Sequence, residues 1–255
     1  MFVLIIKNML MKPKKCAYLI LICLSILISC KKDPVTKTVE FNSTTYEGLG
    51  TFDDLGEPNN LTTADSISSA LLAFANTTLP ERSDLRNTNP ELLTTKAIAD
   101  IAIISQSDVF ITFIAQGTGF TNTFAFYTYP TNKQPSSTAD IKKIIYVFPN
   151  AGKSTPLKKG DKVKIGRFDA GTSIGFVLLK SGWDSTTHTI NNKSVHFCSN
   201  DVLNPEVDPN LKKHAVLINY PAENKVLIGF EDIDRTEPNC DHDFNDLLLF
   251  CTVTP

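Results

Sequence analysis

The stretch Phe244-Asn245-Asp246-Leu247-Leu248-Leu249-Phe250-Cys251-Thr252-Val253 reads as a strand that is apolar on both faces, because side chains alternate across a strand and yet Leu247 to Phe250 are all hydrophobic. A strand of that kind belongs in the middle of a packed structure, so the C-terminus is expected to be core. Working back from it, runs rich in Val, Ile, Phe, Tyr and Thr recur every ten residues or so, separated by Gly, Pro, Asn and Asp. They are Val109–Ala115, Thr123–Tyr129, Lys143–Phe148, Lys162–Phe168, Ile174–Leu179, Ser194–Phe197, Ala215–Tyr220 and Lys225–Phe230. The spacing predicts a mainly all-β domain, an antiparallel β-sandwich of jelly-roll-like type. One short N-terminal helix is expected within Ala64–Ala75, where Ile67, Ala70, Leu71 and Phe74 fall at helical spacing behind a Thr62/Asp65 capping box, with Pro80 ending the segment.

The first thirty residues carry a different pattern. Lys12, Lys14 and Lys15 precede a weakly polar run from Cys16 to Ile28, which closes on Leu27-Ile28-Ser29-Cys30 and is followed at once by Lys31 and Lys32. The run is shorter than the about 20 residues a membrane-spanning helix needs, so it reads as the hydrophobic part of a signal peptide. Leu27-Ile28-Ser29-Cys30 resembles a bacterial lipobox, which implies a diacylglyceryl group on Cys30. Two acyl chains are enough for stable anchoring. Either Met1 or Met11 fits as the start. Residues 1–30 are therefore read as a lipoprotein signal, 31–45 as a polar tether and 46–255 as one domain. Lysine after Cys30 is compatible with export to an outer membrane, with the domain facing the cell surface.

With 42% hydrophobic and 20% charged residues, the chain has the composition of a folded protein. Since Lys7, Lys12, Lys14 and Lys15 precede Cys30, 21 of the 25 basic residues remain beyond it against 27 acidic ones, a formal balance of −6. No basic stripe interrupts this excess, so nucleic acid is not an expected partner.

The most informative segment joins the last two strands. Residues 231–246 hold seven carboxylates, Glu231, Asp232, Asp234, Glu237, Asp241, Asp243 and Asp246, against Arg235 alone. A loop between two paired strands brings its ends to within about 5 Å. Like charges about 4 Å apart repel by roughly 4 kcal/mol at an effective dielectric near 20, so converging carboxylates need a proton, a basic partner or a cation. Calcium, which takes six to eight oxygens in a flexible shell, is the expected ion. Its candidate ligands are Glu231, Asp232, Asp241, Asp243, Asn245 and Asp246. Strand alternation sends Asp243 and Asn245 to one face and Asp246 to the other, so all six meet only if the backbone bulges. The plainer reading is a solvated acidic loop whose side chains cap its own turns.

Other chemistry in the sequence is sparser. His196 with Cys198 and Cys240 with His242 would together make a Cys₂His₂ zinc set, although not at the usual spacing. Cys198, Cys240 and Cys251 lie beyond the lipobox, and an export compartment permits a disulfide between two of them. Glu231 as acid and Asp243 as base would suit glycoside hydrolysis. Trp183 is either a sugar-stacking platform or core. Neither His188 nor His214 has a sequence neighbour that spells a catalytic triad. No nucleophile elbow, phosphate loop or His-Glu-x-x-His pattern occurs.

Several separated pieces resemble the LruC-type domain of unknown function, which is common in surface lipoproteins of Gram-negative bacteria. They include Leu79-Pro80-Glu81, Phe126-Tyr127-Thr128-Tyr129-Pro130, Phe148-Pro149-Asn150-Ala151 and Gly160-Asp161-Lys162-Val163. Further on come Gly171 to Phe176 with Gly182-Trp183, Ser199 to Glu206, and Gly229 through Asp246. The resemblance spans most of the chain. It implies a β-sandwich module on secreted and surface proteins, with acidic residues suited to metal binding or enzymic activity. The expected function is a surface-anchored, calcium-stabilised module that binds a glycan or protein partner. The alternatives are a carboxylate glycoside hydrolase and a structural envelope protein.

Overall fold

Leu247, Leu249 and Cys251 leave the C-terminal strand on one side and Leu248 and Phe250 on the other, and the architecture follows from what each side meets. The computed structural model describes residues 39–94 and 97–255. The stretch read as a signal peptide, Cys30 and most of the stretch read as a tether lie outside the described residues. In chain order the strands are β1 Thr45–Gly48, β2 Ile101–Ala102, β3 Ser107–Gln116, β4 Thr123–Pro130, β5 Lys143–Phe148, β6 Lys162–Phe168 and β7 Thr172–Leu179. They continue with β8 Trp183–Asp184, β9 Thr189–Ile190, β10 His196–Cys198, β11 Ala215–Tyr220, β12 Lys225–Phe230 and β13 Leu247–Thr254.

These strands form two main sheets, as the sequence predicts. One has the order β1-β5-β4-β7-β10 with β2 added beside β7, and the other the order β11-β12-β13-β3-β6. Ladders are antiparallel except where β1 runs parallel to β5. Alternate residues of both sheets fill one interior, including Val109, Ile111, Phe124, Phe176, Phe230, Leu247 and Leu249. The opposite faces are apolar too, because each sheet carries a cover. Helix α1 (Ser69–Thr78) lays Leu71 and Ala75 on Val216, Leu227, Leu248 and Phe250. On the other sheet, Phe41 and Leu203 cover Ala125, Tyr127, Val177 and Leu179. The two-faced hydrophobicity of β13 thus reflects a central strand between a second sheet and a helix.

Several expectations change. The helix begins at Ser69, with the Ser68 hydroxyl accepting from the Leu71 amide at 2.9 Å. The Thr62/Asp65 capping box does not form, because the Thr62 amide bonds the Lys162 carbonyl at the edge of β6 (2.7 Å). Asp65 instead accepts from Lys162 Nζ at 2.5 Å and from the Thr112 hydroxyl at 2.8 Å. A second short helix, α2 (Leu85–Thr88), follows. Packed chain also reaches into the stretch assigned to the tether, where Phe41 is buried and Thr45 opens β1. Trp183 is core, meeting Phe52 edge-on at 5.7 Å, so its ring face is not a stacking platform. Cys198, Cys240 and Cys251 are all free and buried, and no disulfide forms among them. Cys251 points between the sheets while Cys198 lies on an outer face. No helix among the described residues is long and apolar enough to cross a membrane.

His196 shows how the outer face of the first sheet is closed. Its ring stacks on Phe41 at 4.5 Å, Nδ1 donates to the Ser194 carbonyl at 2.7 Å and Nε2 accepts from the Tyr46 hydroxyl at 3.0 Å. Burial pushes its pKa down to about 4. The unfolded chain takes up this proton near pH 6.5 and the folded one only near 4, so stability is full above 6.5 and falls as pH drops toward 4. Between pH 7 and 4.5 the loss from this group is about 2–3 kcal/mol. Urea unfolding at both pH values should show that excess acid sensitivity in the native protein and not in His196→Gln. Equal sensitivity in the two would refute it.

Candidate metal centre

β12 ends at Phe230, and the Glu231 amide still donates to the His214 carbonyl at 2.9 Å, so Glu231 leaves the sheet with its backbone held. The chain turns through residues 234–240, where Asp234 Oδ1 accepts from the Thr236 amide and hydroxyl at 2.8 and 2.7 Å. It returns through residues 241–246 to β13. On this return His242 and Phe244 both take φ of 59°, the left-handed region that non-glycine residues seldom occupy. Two such residues one apart break the alternation of a regular strand. Phe244 drives into the helix-covered cluster, and Asp241 and Asp243 both reach Glu231.

The loop sits tightly on β12. A Cβ at Gly229 would lie 2.4 Å from the Phe244 carbonyl oxygen, so only glycine admits this approach. From the other side, the Leu85 amide donates to the His242 carbonyl at 3.0 Å and the Arg82 amide to Asp243 Oδ2 at 2.7 Å. Asp243 Oδ1 accepts from the Asn245 amide at 3.1 Å.

One oxygen from each of Glu231, Asp241 and Asp243 lies within 4.8 Å of the others. Glu231 and Asp243 are buried and Asp241 is exposed, forming the open side of the cluster. Among the described residues this is the one place where three or more His, Cys, Asp or Glu side chains converge in this way. Neither Glu231 oxygen meets a fixed N–H or O–H donor. No salt bridge reaches Glu231, Asp241 or Asp243 among the described residues. Arg235, the cation of the loop, is buried but turned elsewhere. It donates to the Lys213 carbonyl at 3.0 Å and to His242 Nδ1 at 3.2 Å, with its guanidinium 5.1 Å from the Phe244 ring centre.

The charge that remains is held partly by a proton. Burial and then the Asp241 charge push Glu231 up to about 7. Burial, followed by the charges of Asp232 and Glu231, pushes Asp246 up to about 10. Both shifts favour a proton shared at this pair, bridging Asp246 and Glu231. Burial also raises Asp243. Asp232 is fully buried and faces Asn122, whose amide donates to it at 2.5 Å, while the Asp232 amide donates to Asp246 at 2.8 Å. Asn245 packs toward Leu79, with its amide 3.5 Å from the Leu79 carbonyl. Of the six sequence-predicted ligands, three meet at one point, Asp246 lies beside Glu231, and Asp232 and Asn245 engage other partners.

The zinc set does not assemble. His196 and Cys198 belong to β10 in one sheet, where His196 serves Tyr46 and Ser194. Cys240 and His242 lie in the acidic loop, 3.2 Å apart between Sγ and Nδ1. Glu231, the acid of a glycoside hydrolase pair, has no exposed surface for a sugar to reach. Of the two histidines without a sequence neighbour to pair with, one has a buried partner. His214, fully buried, meets Glu206 Oε1 at 2.6 Å through Nε2 and the Glu231 carbonyl at 2.8 Å through Nδ1, while stacking on Phe197 at 3.8 Å. Glu206 closes the Ser199–Glu206 motif, a signal that named the residue but not its contact.

The family model that matches is described as "Domain of unknown function (DUF4114)" and covers residues 168–254, from the end of β6 through β13. That span contains Glu206, His214 and the whole acidic loop. No curated protein and no solved structure matches the chain.

Proposed function

We propose that this protein is an exported lipoprotein, anchored through Cys30 at the outer membrane and facing the cell surface, whose β-sandwich holds a calcium ion at Glu231, Asp241 and Asp243. The ion ties the return of the acidic loop to the end of β12, and the module presents its loops to a glycan or protein ligand. The observation that carries the metal reading is the buried carboxylate of Glu231, which no N–H group meets, beside two further carboxylates that have no basic partner. A hard cation suits an all-oxygen set, and Asp246, beside Glu231, would join it once its proton leaves. The LruC-type resemblance and the lipobox-like Leu27-Ile28-Ser29-Cys30 support the surface placement.

A thermal melt with calcium, with chelator and with zinc tests the metal reading, since an ion bound by the folded state alone raises the melting temperature. Calcium should raise it above the chelated value and above that with zinc. For the anchor, Cys30→Ser expressed in a Gram-negative host should leave the membrane fraction that retains the native protein. Equal membrane retention of both would reject lipid anchoring at Cys30.

A further inference from the structure

Left-handed backbone gathers at a second place besides the acidic loop. Ser154 (φ 63°), Ser181 (φ 50°) and His188 (φ 53°) all line one cleft of about 460 Å³. Four segments enclose it: the turn at Asp54 and Leu55, the Gly119–Thr121 loop, the turn from Asn150 to Ser154, and the β8–β9 ribbon. Strained positions persist where the surroundings over-determine them, and they cluster at ligand sites.

An unmet acceptor is buried beneath the cleft lining. Asn150 is 4% exposed, and its Nδ2 donates to the Leu55 carbonyl at 3.0 Å and the Ser154 carbonyl at 3.3 Å. Those two bonds orient the amide and leave Oδ1 with no donor. Phe120 and the largely buried Trp183 line the cleft. Trp183 is held by Thr121, whose carbonyl accepts from the Trp183 amide at 2.9 Å and whose hydroxyl donates back at 2.8 Å. Gly56, at φ 83°, lets the neighbouring turn close, since a Cβ there would lie 2.7 Å from Asn150 Cβ. At the rim, Asp54 and Lys153 carry opposite charges, and His188 Nδ1 lies 3.4 Å from Asp54. A larger cavity of about 520 Å³ beside Val39 and Tyr46 is less suited, because its Tyr46 and His196 already bond each other.

We infer that this cleft binds a neutral polyhydroxylated ring, a sugar unit of a glycan. Its size falls in the ligand-pocket range, and its charges balance, which disfavours an ionic ligand. Aromatic side chains beside mixed donors and acceptors suit a ring with apolar C–H faces and peripheral hydroxyls. The inference rests on the reading of the protein as a binding module and names where its glycan sits.

Calorimetric titration of the full chain in a non-glycosidic detergent tests it, using glucose, galactose, mannose, N-acetylglucosamine and their neutral oligosaccharides as probes. At least one should bind saturably, and an oligosaccharide that outbinds its monosaccharide identifies a glycan chain as the source. Gly119→Phe should weaken that binding by about tenfold or more. Gly119 lines the cleft and nothing lies within 4 Å of a Cβ there, so a side chain is admitted at that position. Lys153→Ala, at an exposed position, should weaken it by about threefold, and it keeps the test decisive if the bulkier variant misfolds. Absence of binding across the panel, or binding unchanged in both variants, overturns the inference. The calcium response of the melting temperature in the same samples reports separately on the metal reading.

Discussion

Calcium at a hundredfold excess over its dissociation constant should raise the melting temperature of the chelator-treated protein by about 5–10 °C, from about 2.7 kcal/mol of binding linkage in a domain of this size. The increment should shrink as pH falls from 8 to 5.5. Burial and mutual repulsion raise both Glu231 and Asp246 in the ion-free fold, so the ion must displace protons that become harder to remove in acid. Glu231→Gln should show a crossed pattern. Without calcium it melts above the native protein, because one of the mutually repelling buried carboxylates is gone. With calcium it melts below, because the ion has lost its buried ligand. A native protein indifferent to chelator, together with a Gln variant that behaves identically, would leave the cluster without an ion.

His214→Leu should cost about 3–5 kcal/mol, since it strands the fully buried Glu206 carboxylate, whose other oxygen already lacks a donor. Replacing both residues, Glu206→Leu with His214→Leu, should recover most of that loss, because a buried pair exchanged for apolar side chains of similar volume is often neutral. Urea unfolding of the native, single and double variants reads this directly. A double variant no more stable than the single one would mean that the pair is not the source of the loss. The same measurement bears on the metal centre, since His214 Nδ1 donates to the carbonyl of Glu231 and helps fix where that residue leaves β12.

Much of the scaffold is legible in the order of residue types. Lys143–Phe148, Lys162–Phe168, Ala215–Tyr220 and Lys225–Phe230 form strands with the bounds their composition predicts. Each is a β-branched or aromatic run cut off by Gly, Pro, Asn or Asp, and those breakers act locally. The two-residue strands Trp183–Asp184 and Thr189–Ile190 escape such reading because each is too short to show an alternation and pairs only with the other, and Ile101–Ala102 because it exists through pairing with the distant Ser173 and Ile174. The helix start was misplaced for the same reason, as Thr62 is captured by Lys162, one hundred residues away.

The candidate site divides along the same line. Residue order alone marks an acidic, apolar-flanked loop with too few cations, because charge and hydrophobicity belong to side chains wherever they end up. Which carboxylates meet is another matter. It depends on left-handed backbone at His242 and Phe244, residue types that carry no glycine-like signal for it, and on a 79–85 segment that holds the loop by its carbonyl and by Asp243. The Glu206–His214 pair and the cleft around Asn150 likewise join residues from separate segments. Composition and local pattern decide which elements form and which surfaces must be covered, while convergence of particular atoms is a property of packing between segments far apart in the chain.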